Sequence, residues 1–322
     1  MSSGEATLTE PGADDRKRRL RWKGIVGVVA LVGLVIAAGS SFDDVKDQLT
    51  NPVVLAGALA LHLGALICGA RAWVALFPPD VDRRRLAAGM YLSQLTKYLP
   101  AGGFVQTASQ VALSAEESSL AVAALRLPVF SACFVAASTT LGAGLAFDGD
   151  LPTWGRVAAG AGIASLLLLD RKVLRWLLQL ARRFVKRLPE GDALPPQDAI
   201  LRCYGWALVN MALFATAFVV LLRDVADVSA PSAAAAMCIG WVVGYLALVI
   251  PGGVGVREGV LLATIPSLTF GVVAAVSAVH RLVGLVAELT LVGASQLAAR
   301  RRSYDPLSPG RLRSRGPRAG GA

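Results

Sequence analysis

The sequence predicts an all-α polytopic membrane protein, with about six full transmembrane helices and two re-entrant helical hairpins in an inverted repeat. Three observations carry that expectation. The 322 residues are 55% hydrophobic and only 17% charged, less charge than a soluble domain carries. The apolar residues fall in long blocks: 24–39, 53–69, 127–147, 157–169, 205–222, 232–250 and 271–279 contain no Asp, Glu, Lys or Arg. Crossing a roughly 30 Å hydrocarbon core takes about 20 mainly apolar residues, and several blocks reach that length with their flanks. Finally, the apolar segments 86–113 and 232–265 are interrupted by Pro and Gly.

Residues 1–19 form a basic cytoplasmic tail predicted to be disordered, polar up to residue 15 and ending in Arg16-Lys17-Arg18-Arg19. The transmembrane domain is expected over 20–302, with repeat halves of about 24–147 and 154–297. The first span is 24–41. The chain there has an acidic start and no small-residue cleavage site after the apolar run, so it reads as a retained span and not a signal peptide. The other full spans are placed at 53–77, 119–147, 154–170, 201–222 and 271–297. Residues 303–322, rich in Ser, Pro, Gly and Arg, read as a second disordered tail.

The first broken segment runs Tyr91-Leu92-Ser93-Gln94-Leu95-Thr96-Lys97-Tyr98-Leu99-Pro100-Ala101-Gly102-Gly103, and the second Ile250-Pro251-Gly252-Gly253-Val254-Gly255-Val256-Arg257-Glu258-Gly259. Pro removes a helical hydrogen bond and Gly permits a reversal. The breaks are therefore assigned to Pro100, Gly102 and Gly103, and to Pro251, Gly252, Gly253 and Gly255. Loop charge decides between a kinked crossing and a hairpin. A full crossing by 86–113 would put the acidic loop at Asp148 in the cytoplasm. It would also put segment 170–202, with eight Lys or Arg against four Asp or Glu, outside. Basic loops stay cytoplasmic, so a re-entrant hairpin fits, and a second at 232–265 leaves both termini cytoplasmic. The halves then read span, span, hairpin, span, in opposite orientation, the architecture of many transporters.

Segment 171–187 is amphipathic. Lys172, Arg175, Gln179, Arg182 and Lys186 share one side, and Val173, Leu177, Leu180 and Phe184 the other. It reads as a helix on the cytoplasmic leaflet held by anionic lipid.

Ionisable residues at membrane depth are functional candidates by default. Here they are Arg71, Lys97, Arg126, Arg257, Glu258, Arg281 and Glu288. Cations outnumber carboxylates, which favours an anionic substrate. A lipid phosphate suits it, because the Arg fork binds phosphate bidentately. Arg71 and Arg126 lie near cytoplasmic span ends and also fit snorkelling. Tyr91, Gln94 and Tyr98 share a face and form a polar stripe expected to point inward beside Lys97. Arg257 and Glu258 fit either a substrate site or a structural clamp. Arg281 and Glu288 lie two turns apart on one helix face, too far for a close pair.

His62 and His280 lack metal-ligand partners at useful spacing and read as satisfied core histidines. The four Cys form no CxxC pair, so neither a metal nor a disulfide framework is expected, and no cofactor is called for. No catalytic motif appears. Asp43-Asp44 resembles the acidic loop of membrane glycosyltransferases, although a solvated loop pair is the commoner arrangement. The net charge of +10 flanks apolar spans and accompanies no nucleic-acid-binding motif, so no nucleic acid is expected as a partner.

Lys97-Tyr98-Leu99-Pro100-Ala101-Gly102-Gly103 and Pro251-Gly252-Gly253-Val254-Gly255-Val256-Arg257-Glu258-Gly259 resemble the two signatures of the lysylphosphatidylglycerol synthetase transmembrane-region family. Arg281 resembles a recurrent Arg of that family, and the likeness covers roughly residues 20–300. It implies a flippase-like fold in the cytoplasmic membrane, binding or moving an anionic phospholipid or lipid-linked sugar. Lysyl transfer is not implied, since in that family it belongs to a separate soluble domain. The substrate-binding set is expected among Lys97, Arg257, Arg281, Arg126, Gln94, Tyr98, Glu258 and Glu288. Ala101 departs from the Gly that often follows the Pro, and the first hairpin lacks the Gly-Glu and Arg that some members carry. The alternatives are a membrane-embedded transferase acting on a lipid phosphate, and an accessory subunit of a glycosyltransferase or lipid-modifying partner.

Overall fold

A computed structural model describes residues 51–98, 102–148, 152–183, 194–246 and 255–304. The expected span 24–41, both tails apart from residues 303–304, and the hairpin breaks at Pro100, Pro251, Gly252 and Gly253 lie outside the described residues. Among the described residues the structure is all helical, with no strand. Ten α-helices are described: α1 Pro52–Ala75, α2 Arg83–Leu95, α3 Gly102–Ala115, α4 Leu120–Asp148, α5 Thr153–Gly162, α6 Arg171–Arg182, α7 Gln197–Arg223, α8 Ala230–Leu246, α9 Val256–Thr264 and α10 Phe270–Tyr304. Short 3-10 turns, Thr96–Tyr98 and Ile163–Leu169, follow α2 and α5.

Four helices, α1, α4, α7 and α10, are long and apolar enough to cross a membrane, as a multi-pass α-helical membrane protein requires. Local chemistry fixes their starts. Asn51 caps α1 by accepting from the Val53 N–H, ahead of Pro52 at the first turn, where a missing N–H costs nothing. Asp82 caps α2 by accepting from the Arg84 and Arg85 N–H groups. The expected span 154–170 is instead two pieces, α5 and a 3-10 turn. Gly162 stands at their junction, where a Cβ would lie 2.6 Å from Thr139 Cβ on α4. Helix α10 continues through Tyr304, two residues into the expected tail.

Helix α1 packs along α7, where small residues let the backbones approach. Ala58 shares one core with Ala215 and Phe218, and Ala72 shares the other with Ala207 and Met211. Asn210 on α7 donates to the Ala65 carbonyl on α1. Helix α4 packs against α7 and α8, and α10 packs against α1 and α2. Ser138 on α4 reaches the Cys238 carbonyl on α8 at 3.0 Å.

The broken segments become pairs of short helices. At 1.5 Å per residue α2, α3, α8 and α9 are about 20, 21, 26 and 14 Å long, each short of the hydrocarbon core. The arms pack through glycines. A Cβ at Gly89 would lie 3.1 Å from Leu113 on the opposite arm, and one at Gly240 would lie 3.1 Å from Arg257 Cγ. Gly89 and Gly240 stand the same distance in sequence ahead of Pro100 and Pro251. The entry and exit of the first hairpin meet, since Arg85 donates to Glu117 at 3.2 Å. At the ends of the second, Val228, Ile265 and Leu268 belong to one core cluster. Gly102 and Gly103, expected in the break, form the first turn of α3, while Gly255 has φ +85° immediately before α9.

Candidate functional site

Helix α10 carries a polar seam in an otherwise apolar span: His280, Arg281, Gly284 and Glu288. Both hairpins are tied to it. Lys97, at the tip of the first hairpin's leading arm, forms an ion pair with buried Glu288. Glu258, in the first turn of α9, is buried and accepts from Arg281 Nη2 at 2.8 Å through Oε1. Its Oε2 accepts from the Gly255 N–H at 2.7 Å. One carboxylate therefore closes the N-terminus of α9 and fastens that helix to α10. Arg281 and Glu288 take different partners, as their spacing implies.

Arg257 is arranged differently. Its guanidinium carbon lies 5.7 Å from the Phe214 ring centroid on α7. Among the described residues no carboxylate pairs with it, and its buried Nε has no hydrogen-bond acceptor. The close packing of Gly240 against its stem fixes the side chain's origin. Three cations, Lys97, Arg257 and Arg281, meet two carboxylates, Glu258 and Glu288, so the seam carries a surplus positive charge; Arg257 feels Glu258 electrostatically but makes no ion pair of its own among the described residues.

Other expected site residues lie elsewhere. Arg126 is buried on α4, 5.8 Å from the Phe77 ring centroid. Arg71 is exposed, 4.8 Å from the Trp206 ring. Along α1 Arg71 lies about 13 Å from His62, and its outward placement fits snorkelling. Gln94 accepts from Gln106 Nε2 at 3.0 Å and bridges the first hairpin's arms. Tyr98 is the exception: although 48% exposed, its ring lies 5.2 Å from Lys97 Nζ and its hydroxyl faces Glu288, so it borders the seam.

Two features escaped the sequence reading. His62 and His280 are not separate core residues: their rings meet at 4.5 Å between centroids. Phe214 lies against both, with centroids at 5.6 and 4.8 Å. The available signal was that the chain has only two histidines, both inside apolar spans. The second feature lies on the first arm of the second hairpin. Trp241 and Tyr245 stack there, and the Tyr245 hydroxyl is 2.6 Å from Ser131 on α4.

Among the described residues no three His, Cys, Asp or Glu side chains come together as metal ligands. Chemically, the surplus of cations over carboxylates suits the seam to an anion. The chain matches no known protein family, and no curated protein matches it.

Proposed function

We propose that the protein binds an anionic lipid headgroup within the membrane and moves it between leaflets, as the resemblance to the lysylphosphatidylglycerol synthetase transmembrane-region family implies. The observation that carries this reading is Arg257. It is a cation at membrane depth with no described carboxylate partner, on a broken helix, and it has an aromatic ring within 6 Å. A charge is costly there without a partner, and a phosphate supplies one with matching geometry.

The proposed architecture is an inverted repeat with two re-entrant hairpins and six full spans. The shortness of all four arms and the meeting of the first hairpin's ends support it. So does the pairing of packing contacts. The two equivalent spans α1 and α7 lie together, α4 lies on the second hairpin, and α10 lies on the first. Helix α5 and its 3-10 turn, with 10 and 7 residues, add to about 29 Å, enough for a span.

The test is scrambling of fluorescent phosphatidylglycerol in proteoliposomes, with fluorescent phosphatidylcholine as control. Arg257→Ala should slow phosphatidylglycerol movement at least tenfold while the protein remains folded, since losing a buried cation partner costs about 2–5 kcal/mol. Arg71→Ala should stay within about twofold, its side chain being exposed and screened. Normal movement by folded Arg257→Ala would sink the reading.

A further inference from the structure

Chain topology brings together the protein's only two histidines, 218 positions apart, at the contact of α1, α7 and α10. Both are almost fully buried, at 4% and 2% exposure. His62 Nδ1 lies 3.1 Å from the Ala58 carbonyl, and His280 Nε2 lies 3.4 Å from the Phe214 carbonyl. When those nitrogens donate to the carbonyls, the bare lone pairs are His62 Nε2 and His280 Nδ1. Gly284 leaves the His62 ring room, since a Cβ there would lie 3.4 Å from Nε2. Satisfied core histidines have no need to touch each other, and two imidazoles in contact can share or pass a proton in a way that one cannot.

Phe214 is the common neighbour. The two imidazoles and the Arg257 guanidinium all lie within 6 Å of its ring centroid. The charged groups acting on the pair are Arg257 from α9, Arg281 from α10 and Lys97 from the first hairpin, with Glu258 and Glu288 behind them as the partners of Arg281 and Lys97. Helix α7 offers Phe214 and Phe218 and no charge. Both carboxylates are engaged with cations, so Arg257 supplies the surplus charge.

We propose that the His62–His280 pair is a proton-binding site coupled to the anion site at Arg257, so that an anionic headgroup and a proton are held together. The coupling is electrostatic. A phosphate at Arg257 cancels the charge that opposes an imidazolium nearby, and by reciprocity a proton on the pair strengthens the hold on the phosphate. The proton goes to one of the two bare ring nitrogens and comes from water on whichever side the site is open. No other bond changes. The site then takes up a phosphodiester anion with its proton, and the protein gains a means of responding to a proton gradient. This inference rests on the reading of Arg257 as an anion site.

Nitrogen NMR on histidine-labelled protein gives a direct readout. The full chain, purified without a polyhistidine tag, contains two imidazoles, so every histidine signal reports the pair. The protein is placed in nanodiscs of phosphatidylcholine, of phosphatidylcholine with phosphatidylglycerol, or of phosphatidylcholine with added inorganic phosphate, and titrated. The imidazolium signal should persist to higher pH with phosphatidylglycerol than with phosphatidylcholine alone, by on the order of 1 pH unit. Inorganic phosphate should reproduce the effect if free anion reaches the site and fail to if only a lipid headgroup does. Arg257→Gln should remove the difference between lipids. Identical titration with and without anionic lipid in the folded wild-type protein would overturn the coupling, whatever the lipid assay shows. A lipid-dependent titration without lipid movement would uphold the coupled site and discard the transport reading. Lipid movement with an unresponsive pair would do the reverse.

Discussion

At the scale of single residues, Glu258 does the most with the fewest atoms. One oxygen accepts from the Gly255 N–H and the other from Arg281. Glu258→Gln keeps an acceptor for the cap and loses the ion pair, whereas Glu258→Ala loses both. Breaking a buried pair by removing one partner costs about 3–5 kcal/mol, because the remaining charge stays buried. The Arg281 side chain is 20% exposed, which lowers that to about 2–3 kcal/mol for Glu258→Ala, with Glu258→Gln falling between it and wild type. Thermal unfolding in detergent measures the order. Equal stability of Glu258→Ala and wild type would show that the carboxylate does not anchor α9. Arg257 next door is expected to behave oppositely, with little loss of stability and a large loss of lipid movement. Those two outcomes together would divide the adjacent pair Arg257-Glu258, legible in sequence only as one clamp or one site, into a structural residue and a binding residue.

Among the elements, α6 departs most informatively from its expected pattern. Lys172, Arg175 and Gln179 are exposed as their spacing implies, but the inward row is Leu174 and Leu178, which pack on the core. Leu180, expected on the apolar side, is exposed, as is Trp176 at 60%. Trp176 and Leu180 are one turn apart, so the exposed face has an apolar row beside its cations, suited to the headgroup boundary. Spin labels at 176 and 180 should be more accessible to oxygen, and one at 179 more accessible to a water-soluble nickel complex. Equal profiles at the three sites would place α6 away from lipid. Span positions were readable from sequence because α1, α4, α7 and α10 are long and mainly apolar. The interruption of each broken segment was readable because Pro and Gly are local signals, but its place was not, since Gly102 and Gly103 belong to the first turn of α3. The pairing of Lys97 with Glu288 was not, because the two residues are 191 apart in sequence and only packing chooses the partner. The two pieces at 153–169 were also hidden, because they depend on the approach of Gly162 to Thr139 on a neighbouring helix.

For the molecule as a whole, the proposed orientation joins these elements to the charge pattern and gives the chain the following course. With α1 starting outside at Asn51, its end delivers Arg83-Arg84-Arg85 to the cytoplasm. The first hairpin would enter and leave there, in keeping with the Arg85–Glu117 contact at 3.2 Å between its two ends. Helix α4 then runs outward to Asp148, α5 and its 3-10 turn run back, and α6 lies on the cytoplasmic leaflet. Helix α7 runs outward to Asp224, the second hairpin dips in from outside, and α10 returns to the cytoplasm. Every cluster of Lys and Arg is then inside and the acidic loops are outside, as the positive-inside rule demands. If the first hairpin crossed fully, the acidic loop after α4 would face the cytoplasm and the basic stretch around α6 would face out. All four native cysteines are buried and free, so they should give little background to single introduced cysteines. Cysteines at 150 and 227 should react with an impermeant maleimide applied outside intact cells. Those at 117 and 186 should react only after the membrane is opened. Labelling of 186 from outside would sink the re-entrant arrangement, because only a full crossing by the first broken segment carries α6 to that face.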